Sequence, residues 1–400
     1  MRKTISIIGG GASSLMLACE LDCTKFDINL YEKNNALGRK FLVAGDGGLN
    51  LTHSESPTEF IKQYTPYGFI EKAFQNFSNE DFTAWINELG IKTFIGTSGR
   101  VFPVKEYKPI TVLNAIISKL KNNKVQLLLN HEWRGFSKNN NLLFENNNEL
   151  NEVKSDYTIF GLGGASWPIT GSLGDWLSYF TEKKIKILPF NASNCAFKIN
   201  WDEAFLKKIE GKTLKNISVS CNTKTHFGEV VLTKFGIEGS GIYPLSPQIR
   251  EQIQTSGNAI IYIDFKPSLN EEKISAKLNS IIAKPRFTEN LKETLNLSPL
   301  QIHLLKQLLN KEEFLNLKVL SQRIKKFPLT LTNLAPIDEA ISTVGGISLT
   351  EITPNFELKK LTAHFAIGEM LDYDAPTGGY LLQSCFSMGK HVANYLNKLG

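Results

Sequence analysis

The 400-residue chain has no apolar run approaching the ~18 residues that would span a bilayer, which argues against an integral membrane protein. Cysteine is sparse. The five, Cys19, Cys23, Cys195, Cys221 and Cys385, show no C-x-x-C and no paired spacing, so free thiols in a reducing, cytoplasmic compartment are expected. The six histidines are scattered, and no His/Cys cluster has metal-ligand spacing; no metal is expected. The opening Met-Arg-Lys precedes only a short apolar stretch that runs into Gly9-Gly10-Gly11, which reads as a first β-strand rather than a leader. Charge is also modest, +6 net, with 42% apolar and 21% charged residues. That composition excludes a largely disordered chain and suits two or three domains with ample core.

What charge excess there is lies in the middle. Residues 189–340 carry 20 Lys and Arg against 15 Asp and Glu. This is compatible with an acidic or nucleic-acid ligand there, or with an ordinary solvated lysine surface.

The chain starts as strand, turn, helix, strand. Thr4 to Ile8 is β-rich, Ala12 to Leu21 carries apolar residues at helical spacing, and Phe26 to Tyr31 alternates. Residues 58–90 read as helical. From Val125 to Phe160, short apolar runs (125–129, 133–136, 142–144, 157–160) are separated by Asn139-Asn140-Asn141 and Asn146-Asn147-Asn148. Asparagine tolerates left-handed backbone, so these predict hairpin turns in a small β-meander. Strand-like runs follow at 195–199, 217–221, 230–233 and 259–265, a helical stretch at 270–326, a strand at 365–367 and a closing helix at 381–399. A block of strands and helices is thus inserted into an α/β domain made from both chain ends. The expected boundaries are 1–188, 189–340 and 341–400.

Gly9-Gly10-Gly11-Ala12-Ser13-Ser14 fits G-x-G-x-x-[GA] except at its last position, where Ser14 still allows close packing. Gly9 permits the tight turn. Gly11 lets a pyrophosphate approach the amides at the helix N-terminus. Glu32 ends the second strand, 21 residues after Gly11, where a carboxylate accepts from ribose hydroxyls. That favours FAD or NAD over NADP. The run from Gly38 to His53, a basic pair followed by a glycine-rich turn, can bring amides to a second phosphate and to a flavin edge. Near the other end, Gly368-Glu369 follows a strand, and Thr377-Gly378-Gly379-Tyr380 leads into the last helix. An acid there can accept from ribityl hydroxyls, and the helix N-terminus can stabilise negative charge on a reduced flavin. An NAD domain needs none of these extra segments.

These residues carry a resemblance. GGGASS (9–14), GRKFLVAGDGGLNLTH (38–53), GRVFP (99–103), GLGGASWP (161–168), GSLGDW (171–176), GEVVLTKFGIEGSG (228–241), TVGGISL (343–349) and GEMLDYDAPTGGY (368–380) are similar to segments of the BaiN/YhiN-type bacterial FAD-dependent oxidoreductases, in particular the branch with a GRVFP segment. The resemblance implies a Rossmann-like FAD-binding domain in two parts, with an inserted domain of a small β-barrel plus helices. It implies that Gly9, Gly11, Ser13, Glu32, Lys33, Arg39, Lys40, Gly45, Asn50 and Thr52 line FAD, together with Gly163, Gly164, Gly368, Glu369, Gly378, Gly379 and Tyr380. Ala12, Ser14, Gly47, Gly48, Leu51, Trp133 and Leu381 complete the expected cofactor set. The chain also departs from the family. Many members have Arg-Cys before the Asn of the second glycine loop, where this chain has Gly48-Leu49. Members often have Asn after Gly-Gly-Tyr, where this chain has Leu381. The usual Ala-Thr-Gly-Gly is here Gly161-Leu162-Gly163-Gly164.

No second G-x-G-x-x-G appears, so NADH or NADPH, as a transient electron donor, would have to bind without a Rossmann domain of its own, or electrons arrive from elsewhere. Tyr380, His53, Tyr107 and Lys108 are the candidate proton donors, and Arg100 is a candidate for an anionic substrate group or a structural ion pair. Trp167 reads as a wall of the FAD site or as core. The reading is a reductase passing hydride from reduced FAD to an electron-poor C=C or similar acceptor in a small molecule, with the insert closing over the flavin to select it. Two rivals stand beside it. One is an RNA-modifying flavoenzyme that reduces uridine to dihydrouridine, an activity the resemblance includes for some members. The other is a non-catalytic FAD-holding redox sensor or scaffold.

Overall fold

The structure, a computed structural model, describes residues 2–43, 48–282 and 285–400. The chain forms two units, Met1–Ala192 with Ile337–Gly400, and Ser193–Pro336.

The first unit is built on a five-stranded parallel sheet. Its strands, in spatial order, are His364–Ala366, Tyr157–Phe160, Lys3–Ile8, Phe26–Glu32 and Gln126–Leu129. The central strand buries its last four residues, Ile5 to Ile8, as expected when helices cover both faces of a parallel sheet. The helix Ala12–Glu20 buries every residue from Ser13 to Cys19. The closing helix Tyr380–Leu399 packs against it.

The Asn-rich turns form as expected. Glu132–Phe136, Leu142–Asn146 and Glu149–Val153 make an antiparallel meander, and Asn140, Asn147 and Asn148 have positive φ. The meander's membership differs from the expectation. The apolar runs Gln126–Leu129 and Tyr157–Phe160 belong to the parallel sheet, and the third meander strand is Glu-Leu-Asn-Glu-Val, almost wholly exposed. A polar edge strand leaves no apolar run to read, and an apolar run does not declare which sheet will bury it.

The second unit holds a six-stranded antiparallel sheet in the order Phe197–Lys198, Gly236–Glu238, Lys224–Leu232, Thr213–Cys221, Ala259–Asp264, Phe327–Leu331. Its two edges are joined. Lys198 donates its amide to Asn333, Thr332 donates to Lys198, and Phe197 bridges Leu334. The ring is closed as in a small barrel, which removes the free edges of an open sheet. Five helices lie between its last two strands, Glu271–Asn279, Phe287–Leu295, Pro299–Leu308, Lys311–Leu315 and Leu317–Lys325. The helix Pro299–Leu308 starts with a capping box, Ser298 with Gln301, and buries Leu300, Leu304 and Leu305 on one face. Among the described residues, no helix is long and apolar enough to cross a membrane.

Candidate functional site

The glycine turn lies at the carboxyl end of the central strand. Gly9, at φ +94°, donates its amide to the Tyr31 carbonyl at 2.8 Å, which ties the turn to the neighbouring strand. Gly11 is the N-cap of the helix Ala12–Glu20, with no side-chain cap and no acid in the first turn. A Cβ placed on Gly11 would meet nothing nearer than the Gly161 carbonyl oxygen, at 3.8 Å. Protein packing therefore does not demand glycine here. The space lies in front of uncapped helix amides, the place where a phosphate sits. Ala12 is half-buried and Ser13 buried, while the buried Ser14 hydroxyl has no hydrogen-bond partner.

Glu32 is clamped beside this turn. Its Oε2 accepts from the Gly10 amide at 2.8 Å, and its Oε1 accepts from the Asn34 amide at 2.8 Å and from Asn34 Nδ2 at 2.6 Å. A carboxylate has about four lone-pair sites, so these three bonds orient it and still leave capacity for a hydroxyl. Arg39 donates to Asn34 Oδ1 at 2.8 Å and to the Ile169 carbonyl at 3.0 Å. Both acceptors are neutral, and among the described residues Arg39 has no ion pair. Lys33 faces Asp175 at 3.8 Å.

The second chain end joins the first here. Lys40 Nζ donates to Glu369 Oε2 at 2.8 Å and to Ser166 Oγ at 2.7 Å. Glu369 is 8% exposed, and its Oε1 also accepts from the Thr343 amide at 3.0 Å. Gly368 lies against Ser13, and Gly164 lies between Thr343 and Glu369. Ser172 donates to the Gly164 carbonyl at 2.7 Å, and Gly163 lies beside the same hydroxyl.

A second cluster surrounds the start of the closing helix. Gly379, at φ +92°, runs so close to Thr52 that a Cβ would come within 2.5 Å of the Thr52 Cα. Thr52 donates to Gln383 Oε1 at 2.7 Å. Leu51 is buried, Gly48 faces the Phe102 ring, and the buried Asn50 Oδ1 has no partner among the described residues. Tyr380 donates its hydroxyl to Glu55 Oε1 at 2.6 Å. Burial first, then the Glu55 hydrogen bond and charge, push that hydroxyl well above the ordinary tyrosine range, while Arg100 pulls it down. The His53 ring stacks on the Tyr380 ring, 5.5 Å between centroids.

Several expected residues are placed differently. The His53 ring is engaged by backbone at both nitrogens. Nε2 donates to the Ser98 carbonyl at 2.9 Å, and Nδ1 accepts from the Glu55 amide at 3.2 Å, so the imidazole braces the loop. Tyr107 is half-buried against the main core and Lys108 is exposed at the start of the helix Pro109–Asn122. Neither makes a hydrogen bond or ring contact with His53, Arg100 or Tyr380. Trp133 sits in an aromatic core cluster with Phe136, Phe160, Tyr179 and Phe180, which occupies its indole faces. Leu381 packs, half-buried, on the main core. Trp167 is not core; it is 38% exposed with a left-handed backbone. Gly45 and Gly47 lie outside the described residues.

The sequence motifs did not point to Glu55 or Asn34, and Ser166 and Thr343, though within the quoted segments 161–168 and 343–349, were not singled out as site residues. Each is an ordinary polar residue in a loop or strand, and only its position opposite Tyr380, Glu32, Lys40 or Glu369 gives it a role.

Comparison with known proteins agrees with this architecture. The chain is similar to the ribosomal RNA dihydrouridine synthase of Haemophilus influenzae, 23% identical over 95% of both chains. It is also similar to the ribosomal RNA dihydrouridine synthase of Escherichia coli, 22% identical over 95% of this chain and 94% of that one. Among solved structures it is similar to 3-ketosteroid delta1-dehydrogenase from Sterolibacterium denitrificans, TM-score 0.51 at 12% identity over the whole of both chains. A second is the 3-ketosteroid-delta4-(5alpha)-dehydrogenase of Rhodococcus jostii, TM-score 0.50 at 11% identity, covering 98% of this chain and 96% of that one. At such identities the likeness is one of fold, the Rossmann-like FAD-binding fold with an additional antiparallel-sheet domain. The description HI0933-like protein Rossmann domain matches residues 3–395, nearly the full length, and the chain belongs to the HI0933-like family, the BaiN/YhiN-type group that its glycine segments resemble.

Proposed function

We propose that this protein is an FAD-dependent oxidoreductase that reduces an electron-poor C=C or similar acceptor. The observation that carries the reading is the open space at Gly11, in front of uncapped helix amides and beside the oriented Glu32 carboxylate. The residues fit FAD along its length. The first-turn amides and the Arg39 guanidinium, without an ion pair among the described residues, suit a pyrophosphate. Glu32 retains acceptor capacity for ribose hydroxyls. Glu369, paired with Lys40, suits ribityl hydroxyls, and Asn50 Oδ1, unpartnered among the described residues, offers a buried acceptor. Bound FAD supplies the two-electron chemistry. The chain's own part is to hold the acceptor and provide a proton, and Tyr380 is the group suited to hold it, at Oη.

NADH or NADPH is proposed as a transient donor. The test is anaerobic mixing of the FAD-loaded protein with each. Bleaching of the yellow band by either supports direct reductase activity. If neither bleaches it while a chemical reductant does, the scaffold or sensor reading takes over.

A second reading makes the acceptor a uracil base in ribosomal RNA. Two relatives of matching length bear the name of that activity. Uracil C5=C6, conjugated to a carbonyl, is an electron-poor C=C. Gly48-Leu49 places no thiol before Asn50, so the proton would come from a group such as Tyr380. Comparing ribosomal RNA from cells with and without the gene tests it. A reduced base that disappears with the gene supports the reading; unchanged RNA, with no salt-sensitive RNA binding by the protein, returns the acceptor to small molecules.

A further inference from the structure

Among the described residues Arg100 has no ion pair, and its charge is felt by the Tyr380 hydroxyl. It is half-buried in the strand Arg100–Pro103, yet among the described residues its guanidinium makes no hydrogen bond, no ion pair and no ring contact. Every other arginine of the first unit is engaged. Arg2 pairs with Asp27, Arg39 donates to Asn34 and Ile169, and Arg134 pairs with Glu132 and Glu145. A guanidinium presents five N–H donors in a fixed fork and stays protonated at any ordinary pH. Part of the fork is shielded from water, so an acceptor on a bound group would complete it.

The surroundings say what kind. Arg100 opposes His53 directly in the antiparallel pair of short strands, so their side chains share one face. His53 stacks on Tyr380, and Arg100 Nε lies 3.7 Å from where a Gly378 Cβ would be. The closing helix begins at Tyr380 with no side-chain cap and no acid in its first turn. Glu55 is the carboxylate of this cluster, and one of its oxygens is taken by the Tyr380 hydroxyl. An unpaired guanidinium thus stands beside an uncapped helix start, where partial positive charge accumulates.

We propose that Arg100 is a specificity-determining residue that binds an oxyanion group, a carboxylate or a phosphate, on the acceptor reduced at this site. This rests on the function proposed above and narrows it. The acceptor is anionic, and its charged group is anchored within reach of the Tyr380–Glu55 pair. Planar, bidentate recognition of an oxyanion is what an arginine fork offers and a lysine does not.

The experiment titrates the FAD-loaded protein with acetate and, separately, with inorganic phosphate at constant ionic strength. It follows the visible flavin spectrum and the thermal unfolding midpoint, in wild type, Arg100→Gln and Arg100→Lys. The expected result is a saturable response in wild type to one of the two anions. Its dissociation constant should be about tenfold or more weaker in Arg100→Gln and intermediate in Arg100→Lys, with FAD content unchanged in all three. Which anion wins distinguishes a carboxylate acceptor from a phosphate-bearing one. Equal responses in wild type and Arg100→Gln, or no saturable response to either anion in wild type, overturn the assignment. So does loss of FAD in Arg100→Gln with anion binding intact, because Arg100 would then serve the cofactor. If the wild type takes up no FAD at all, the proposed function fails on its own, and the unfolding midpoints still report whether Arg100 binds an anion.

Discussion

The Tyr380 hydroxyl donates a 2.6 Å hydrogen bond to Glu55, across 325 residues of sequence. The bond fixes the phenol at the start of the closing helix and keeps its proton on. Tyr64 reinforces the arrangement by donating to the Tyr380 carbonyl at 2.7 Å. Tyr380→Phe is expected to slow acceptor reduction about 100-fold, the usual scale of a lost general acid, while FAD content and reduction of the flavin by the donor stay near wild type. Glu55→Gln should lower the tyrosine ionisation toward its ordinary value of about 10, followed by the phenolate absorbance that Tyr380→Phe abolishes. Unchanged acceptor kinetics in Tyr380→Phe would remove it as proton donor.

Gly11→Val separates folding from nucleotide binding. A Cβ at this position meets no protein atom closer than 3.8 Å, so the variant should fold with wild-type circular dichroism. Its side chain enters the space assigned to the pyrophosphate, so the purified protein should be colourless. Full FAD retention in a folded Gly11→Val variant would contradict the placement of the phosphate turn.

Lys40→Met leaves Glu369, 8% exposed, with only the Thr343 amide to support its charge. The lysine side chain is 27% exposed, so the cost is discounted below that of a fully buried pair, to about 1–3 kcal/mol. Urea unfolding checks this. A double variant with Glu369→Gln should recover part of the loss, because no charge is then stranded.

His391 makes stability depend on acid. It is 4% exposed; its Nδ1 meets Asn76 Nδ2 at 2.8 Å, and its Nε2 meets Asn355 Oδ1 at 3.1 Å. Burial first, then the positive charges of Lys72 and Lys398, lower its pKa from 6.5 to about 4, against the weaker opposing pull of a backbone hydrogen bond at Pro354. Between those values the unfolded chain holds the proton and the folded chain does not, so stability falls as pH drops through that window. The expected loss is about 1–3 kcal/mol from this residue, after discounting for partial solvation. The unfolding free energy of wild type and His391→Gln, measured from pH 7 to pH 4, should converge at the acid end; parallel curves would remove His391 as the cause.

The sequence by itself determined the parts that depend on a few neighbouring residues. Gly9 to Ser14 between an apolar strand and a helix, Glu32 closing the next strand, and asparagines at the meander turns are local instructions, because steric limits on φ and ψ and the period of apolar residues act over short spans. The family resemblance was equally legible, since its glycine segments are contiguous. The tertiary structure alone decided which distant groups meet. Lys40 finds Glu369, Tyr380 finds Glu55, and His53 braces the backbone of Ser98 and Glu55. It also left Arg100 without an ion pair among the described residues and gave the polar strand Glu149–Val153 a partner. Such pairings depend on how the whole chain folds back on itself. No short span encodes that geometry, because the motifs mark Lys40, Glu369, Tyr380 and His53 singly, while which residue each meets depends on packing between separate segments of the chain.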